Sequence, residues 1–499
     1  MQLRSPPVVH RQPPAVPVLL AAGGGVAALV GAYWDDAWHT DRGRDSLFVA
    51  PHLVLYAGVL IATVAVAMLA HKPPWSPAHR LALAGGAAVL VSAPLDEAWH
   101  VAFGRDAVLW SPPHMLAVVA SLMLATGVLA IATRTPGRMG TAAQLLVAAT
   151  VIGALQMPVL EFDSDVPQFP VWTYLPVAVA GWLLATTIIR NVLDGRWSLL
   201  AAAATYTGIR VGVVGLLAIL DQSGTVVPPT LALALLEIAM AHAPLSRPLR
   251  LAVNAAVATL IWFAWLEVLG SAGTDVPSAV LPAAVSAAVV AALAIAVLSG
   301  RRMRLSRPAA VVGALLAVAA VGLAAAPEAQ GHDPGQGSSR GDAILTVERI
   351  DSTSVDIGLL VDTASCNDLT PVRSVARRAG RTKVGVLEGS GRCRYQGTVD
   401  ADDSGRWFVY VELTEGTRAV ELWAPLDDSE TTSTVRRPLY EPPARPPQNI
   451  QLLAGLVIYA VIVTMLVKTV RSAEHIGFPP PVKASNVDGS GAAELGARR

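Results

Sequence analysis

Trp34-Asp35-Asp36-Ala37-Trp38-His39, Gly43-Arg44-Asp45 and Pro51-His52 make one stretch, and Leu95-Asp96-Glu97-Ala98-Trp99-His100, Gly104-Arg105-Asp106 and Pro112-Pro113-His114 repeat it. Asp35 and Asp96 are 61 residues apart, as are His39 and His100. His52 and His114 are 62 apart, so the second copy carries one extra residue before its last histidine. Each copy joins two long apolar runs. Polar residues held between two such runs predict a helical hairpin, and the repeat predicts two of them.

The rest of the chain has the same character. Its 499 residues are 53% hydrophobic and 15% charged, with a mean hydropathy of +0.50. A soluble domain carries about 25% charged residues. Apolar runs read as membrane spans fall at 17–34, 50–70, 81–96, 112–133, 141–160, 170–190, 198–220, 229–244, 251–270, 278–299, 308–326 and 450–470, the third and the eighth being short. The expected fold is an all-α polytopic membrane domain of about 12 transmembrane helices, with an extracytoplasmic β-sandwich inserted before the last one. The domains are a tail over 1–16, a membrane domain over 17–326 with motif hairpins at 34–56 and 95–118, a sandwich over 327–449, the last helix at 450–470 and a tail over 471–499. The net charge is zero, which leaves no electrostatic case for nucleic acid.

Lys and Arg set the orientation. Lys72 and Arg80, Arg134 and Arg138, Arg190 and Arg196, Arg247 and Arg250, and Arg301 to Arg307 occupy alternate loops. Glu161, Asp163 and Asp165, Asp221 and Asp275 occupy the others. A cell-membrane protein with both termini cytoplasmic then has every basic loop inside and both motifs outside. The acidic cluster 161–165 reads as a solvated loop, and Trp38, Trp99 and Trp110 read as an interfacial aromatic belt. Arg210 and Glu237 fall at membrane depth, where ionisable groups are costly. The two are expected to neutralise each other.

The polar region alternates apolar and polar residues over 343–347, 355–361, 407–413 and 419–423, the period of strands. It holds both cysteines of the chain, Cys366 and Cys393, which outside the cell predicts a disulfide. A second reading of 301–331 is an embedded signal sequence whose cleavage leaves His332 near a copper-binding amine; an ordinary eleventh span is the simpler one.

Asp35 and His39 are four apart, as are Asp96 and His100, so each pair shares one helical face. His52 and His114 open the returning helices. Two imidazoles and a carboxylate suit iron, zinc or copper, and residue type does not choose among them. Asp36 and Glu97 are the alternative ligands, or groups that orient the imidazoles. Arg44-Asp45 and Arg105-Asp106 read as loop ion pairs.

Asp35, Ala37-Trp38-His39, Arg44-Asp45-Ser46, Phe48, Pro51-His52 and Tyr56 resemble the metal-binding hairpin of the C-type subunit of the copper membrane monooxygenases, the particulate methane and ammonia monooxygenases. The resemblance implies copper on Asp35, His39 and His52. Asp96, His100 and His114 match apart from the inserted residue, without the Phe and Tyr. That family's protein has one such site, fewer helices and two partner subunits, whereas this chain doubles the motif and adds helices and a sandwich. The expected function is a copper-binding membrane protein, a monooxygenase-like subunit. The expected partners are the lipid bilayer and other membrane subunits met through the extracytoplasmic domain. A metal transporter or copper-handling protein is the alternative, and a membrane glycosyltransferase using Asp35-Asp36 and Asp96-Glu97 is the second.

Overall fold

A computed structural model of the chain describes residues 12–42, 49–71, 75–103, 109–165, 169–269, 274–298, 338–362, 366, 368–378, 381–402, 406–427, 431–441 and 448–476. The long helices are α1 (Ala15–Arg42), α2 (Ala50–Leu69), α3 (Pro77–Phe103), α4 (Pro112–Ala132), α5 (Gly137–Gln156), α7 (Tyr174–Val192), α8 (Ser198–Ile219), α10 (Arg247–Leu269), α11 (Leu281–Leu298) and α12 (Gln448–Ile476). Two short ones, α6 (Leu160–Asp163) and α9 (Thr230–Met240), lie between them. Among the described residues, ten segments are long and apolar enough to cross a membrane. The chain is a membrane protein by that criterion. Of the twelve expected spans, 308–326 lies outside the described residues. So do Arg44-Asp45, Arg105-Asp106 and His332. The span at 229–244 is realised as α9, whose 11 residues reach about 17 Å and cannot cross a core of about 30 Å alone.

The sequence repeat is also a repeat of helix packing. A Cβ on Gly24 of α1 would lie 2.6 Å from Gly58 O and 2.8 Å from Ala62 N of α2. A Cβ on Gly85 of α3 would lie 2.8 Å from Ala120 O and 2.3 Å from Leu124 N of α4. Gly85 follows Gly24 by 61 positions, and Ala120 and Leu124 follow Gly58 and Ala62 by 62. The two hairpins therefore cross at equivalent points, and the extra residue is absorbed before α4 begins. Only glycine lets backbones approach this closely, the device that membrane helix pairs use where no hydrophobic force draws them together.

The most buried spans are α4 and α5, which carry the central core together with α7. Arg210 of α8 is fully buried and explains how α9 can be short. The stretch entering α9 is not helical, and unpaired backbone at membrane depth must find partners in the protein. Arg210 donates to Val226 O and, at 2.9 Å, to Thr225 Oγ1. Val226 N donates to Asp163 O at 3.1 Å, and Trp265 Nε1 to Val227 O at 2.8 Å. Arg210 also lies 3.4 Å from Asp163 Oδ2. Glu237 instead takes Asn254 and, at 3.6 Å, Arg190. The expected Arg210–Glu237 neutralisation is thus replaced by two separate clusters, because sequence position gives depth but not the helix face.

Eight antiparallel strands follow: β1 (Ser338–Arg349), β2 (Ser354–Val361), β3 (Leu369–Arg378), β4 (Arg381–Gly391), β5 (Arg394–Asp400), β6 (Trp407–Glu415), β7 (Arg418–Leu426) and β8 (Thr432–Glu441). They form a closed barrel in the order β1-β2-β5-β4-β3-β6-β7-β8, where the alternation predicts a sandwich. Alternation shows which side chains point inward, but closure depends on β1 pairing with both β2 and β8. Inward residues such as Leu345, Ile357, Val409 and Leu422 fill the interior, as an eight-stranded barrel allows. Cys366 and Cys393 form the expected disulfide, with Cα atoms 5.3 Å apart. From the barrel the chain returns as α12, which packs on α3 and α4; Tyr459 donates to Trp110 O.

Candidate metal centre

Asp35 lies in the last third of α1, and His39 one turn later on the same face. His52 sits in the first turn of α2, where Pro51 starts the helix. The close crossing at Gly58 brings the two helix ends together. His39 Nε2 is 3.1 Å from Asp35 Oδ1, and His52 Nε2 is 3.0 Å from the same oxygen. Among the described residues, these three alone form a group whose ligand atoms all lie within 4.8 Å of one another. Asp35 Oδ1 and His39 Nε2 are buried, yet neither meets hydrogen-bond geometry with any described group. Two ligands about 2.1 Å from a shared ion stand about 3.0–3.4 Å apart at octahedral to tetrahedral angles. The spacing seen here suits that arrangement. Tyr56, one turn beyond His52, stacks on its ring with centroids 5.6 Å apart.

The second copy has the same core contact. His114 Nε2 is 3.1 Å from Asp96 Oδ1. Ser111 caps α4 and accepts from His114 N at 3.4 Å, which fixes this histidine in the first turn. The side chains of His100 and Glu97 lie outside the described residues. The structure therefore places Asp35, His39 and His52 together, and Asp96 with His114.

Asp36, considered as an alternative ligand, is outside the group of three and engaged elsewhere: its Oδ2 accepts from Ser164 Oγ, while the residue still lines the cavity beside Asp35. Ser164 belongs to the acidic segment, which is not the solvated loop expected. Glu161 and Asp163 are 4% and 2% exposed. Glu161 Oε1 accepts from Leu109 N, and Asp163 Oδ1 accepts from Tyr174 Oη at 2.6 Å. Asp165, in a left-handed turn at φ 56°, faces the barrel. It accepts from Arg378 Nη2 and from Arg406 N, each at 3.0 Å, while Arg406 Nη1 reaches Ser223 Oγ at 2.8 Å. One short segment thus touches the metal motif at Ser164 and the barrel at Asp165. Sequence reading missed Ser164, and nothing in its immediate neighbourhood marks it; only the tertiary fold brings it to Asp36.

Behind the motif, Tyr33 Oη is 2.8 Å from Tyr206 Oη, and the Arg210 guanidinium lies 3.8 Å from the Tyr33 ring centroid. Trp99 is buried, and Trp110 donates to Pro158 O at 3.0 Å. Trp99 thus packs inside the protein, while Trp110 is half-buried.

A cavity of ≈ 230 Å³ opens beside these groups, lined by Asp35, Asp36 and His39 of the first hairpin and His114 of the second. Below them its walls are almost wholly apolar. No family model, curated protein or solved structure matches the chain.

Proposed function

We propose that the chain is an integral membrane metalloprotein that holds a divalent first-row ion on Asp35, His39 and His52. The convergence of two imidazole nitrogens on one carboxylate oxygen, each within 3.1 Å of it and all three within 4.8 Å of one another, carries this reading. Two imidazoles and a carboxylate suit copper, iron and zinc, and at a given N/O site copper(II) binds most tightly of the three. Copper is the assignment, with iron or zinc as alternatives. The proposal extends to Asp96, His100 and His114 as a second ligand set, supported by the 3.1 Å between Asp96 Oδ1 and His114 Nε2.

Three protein ligands leave positions open for a small molecule, the arrangement of catalytic sites. Together with the resemblance of the hairpin to the copper monooxygenases, this supports an oxygen-activating, monooxygenase-like subunit. When bound, the ion supplies Lewis-acid and redox chemistry. The chain's own residues fix the ligand set through the glycine crossing and keep Asp36 aside on Ser164. The alternation of basic and acidic loops supports cytoplasmic termini and an outer motif. Asp165 then holds the barrel on the same outer side, where a disulfide is stable.

Metal analysis of the full-length protein purified from membranes tests this. His39→Ala with His52→Ala is expected to remove one equivalent of copper per chain. Unchanged metal content in that variant overturns the reading.

A further inference from the structure

The cavity beside the motif deepens this reading by naming what the site takes. Its volume of ≈ 230 Å³ exceeds the roughly 150 Å³ that holds a benzene molecule and stays dry when its walls are apolar. It reaches from Asp35 and His39 down α1 to Gly25 and Ala21. Fourteen residues separate Asp35 from Ala21, about 21 Å of helix. A space of that volume and length is narrow, and fits one extended chain better than a fused ring system. Its width comes from small side chains, among them Ala28, Ala62, Ala125 and Ala154 on α1, α2, α4 and α5.

The head of the cavity has a different chemistry. Two carboxylates, Asp35 and Asp36, face it together with His39 and His114. Without the ion, two adjacent carboxylates repel an anionic group and accept hydrogen bonds from a hydroxyl or an ammonium; with it, Asp36 is the carboxylate that remains for the donor. Ser121 and Thr150 interrupt the apolar walls lower down, but the Thr150 hydroxyl is already spent on Leu146 O at 3.0 Å.

We propose that this cavity binds a single-chain amphiphile, an aliphatic alcohol or amine, with its tail between α1, α4 and α5 and its donor head at Asp35 and Asp36. The proposal rests on the metal reading only for what the head meets. The two hairpins then serve one ligand: the first supplies Asp35, Asp36 and His39, and the second supplies His114.

The test uses the full-length protein in lipid nanodiscs and octan-1-ol carrying a photoreactive diazirine in its chain. Peptides of α1, α4 and α5 are expected to be labelled, with competition by plain octan-1-ol; in the metal-free His39→Ala with His52→Ala variant, the matching octanoate is expected to label at least tenfold less. Ala125→Phe, which fills the cavity, is expected to abolish that labelling while metal content stays unchanged; Ser121→Leu serves if the first variant does not fold. Labelling that persists in both filled variants, or that falls only on lipid-facing residues such as Leu53 and Leu60, overturns the proposal. Equal labelling of the metal-free variant by octanoate overturns the head-group assignment. A phospholipid with a diazirine in its acyl chain distinguishes the source: labelling of α1 and α5 by that probe, without competition by octan-1-ol, assigns the cavity to a membrane lipid and overturns the free amphiphile. If His39→Ala loses metal but keeps the labelling, the cavity stands independently. If His39→Ala with His52→Ala keeps metal while the alcohol still labels, the metal reading fails alone.

Discussion

Asp35 and Asp36 are neighbours in sequence with opposite tasks. Asp35 Oδ1 sits between two imidazoles, whereas Asp36 is held by Ser164. Asp35→Asn is expected to weaken metal binding at least tenfold, because it removes the charge that a divalent ion needs from its single carboxylate. Asp36→Asn is expected to leave the metal in place, and titration with metal analysis separates the two outcomes. Arg210 is the other decisive residue. It is fully buried, satisfies the open backbone before α9 and faces Asp163. Removing one partner of a buried charged pair costs about 3–5 kcal/mol. Arg210→Met is therefore expected to lower the thermal midpoint in detergent markedly. Arg210→Lys is expected to recover little of the loss, since an ammonium lacks the forked donors that reach several acceptors at once.

At the scale of the elements, the glycine crossings decide whether the site exists. Gly58→Val drives a side chain into Ala28 N at 2.4 Å and Gly24 O at 2.6 Å. Overpacking of this kind costs about 1–3 kcal/mol and moves α2 away from α1. Loss of metal together with a lowered melting midpoint is expected, whereas Gly208→Ala, with nothing within 4 Å of its added carbon, changes neither. This bears on what the sequence could tell. Asp35, His39 and His52 were legible because helix periodicity puts i and i+4 on one face and Pro51 marks the start of the returning helix. The spans were legible from apolar length. The partners of Arg210 and Glu237 were not, because both lie on apolar helices whose rotation is set by neighbours distant in sequence. The 161–165 segment misled for a related reason. Three acids in a short connection look solvated until the groups that answer them arrive from other parts of the chain: Leu109 N at Glu161, Arg210 at Asp163, and Arg378 with Arg406 N at Asp165. The barrel's closure was hidden too, since an alternating pattern is common to open and closed sheets.

At the scale of the molecule, the barrel is tied to the helices by polar contacts at Asp165 and stapled internally by its disulfide. Cys366 and Cys393 are 27 residues apart, and closing a loop of that length contributes about 3–4 kcal/mol by the chain-entropy account. Cys366→Ser with Cys393→Ser is expected to lower the unfolding midpoint of the barrel without changing metal content. The barrel is also expected to weaken in acid. The Asp351 carboxylate accepts backbone hydrogen bonds from Thr353 and Ser354, and Glu441 accepts from Arg340; each is held below its ordinary value, 3.8 and 4.5 respectively. Such groups stabilise the fold fully above those ordinary values, and the contribution is lost as the pH falls through the lowered folded ones. Intrinsic fluorescence of the barrel tryptophans between pH 6 and 2 reads this directly, and no change in Asp351→Ala relative to wild type would refute it.

The ring of strands has one further consequence. A sheet joined to itself has little open border, and here that border is confined to the seam where β7 meets β8 through the single pair Glu421 and Tyr440. Another polypeptide can extend the sheet only there. Elsewhere on the barrel, whatever meets it must be recognised by the side chains and loops on its surface, and exchanging those exposed residues can change the company it keeps without disturbing the weave beneath.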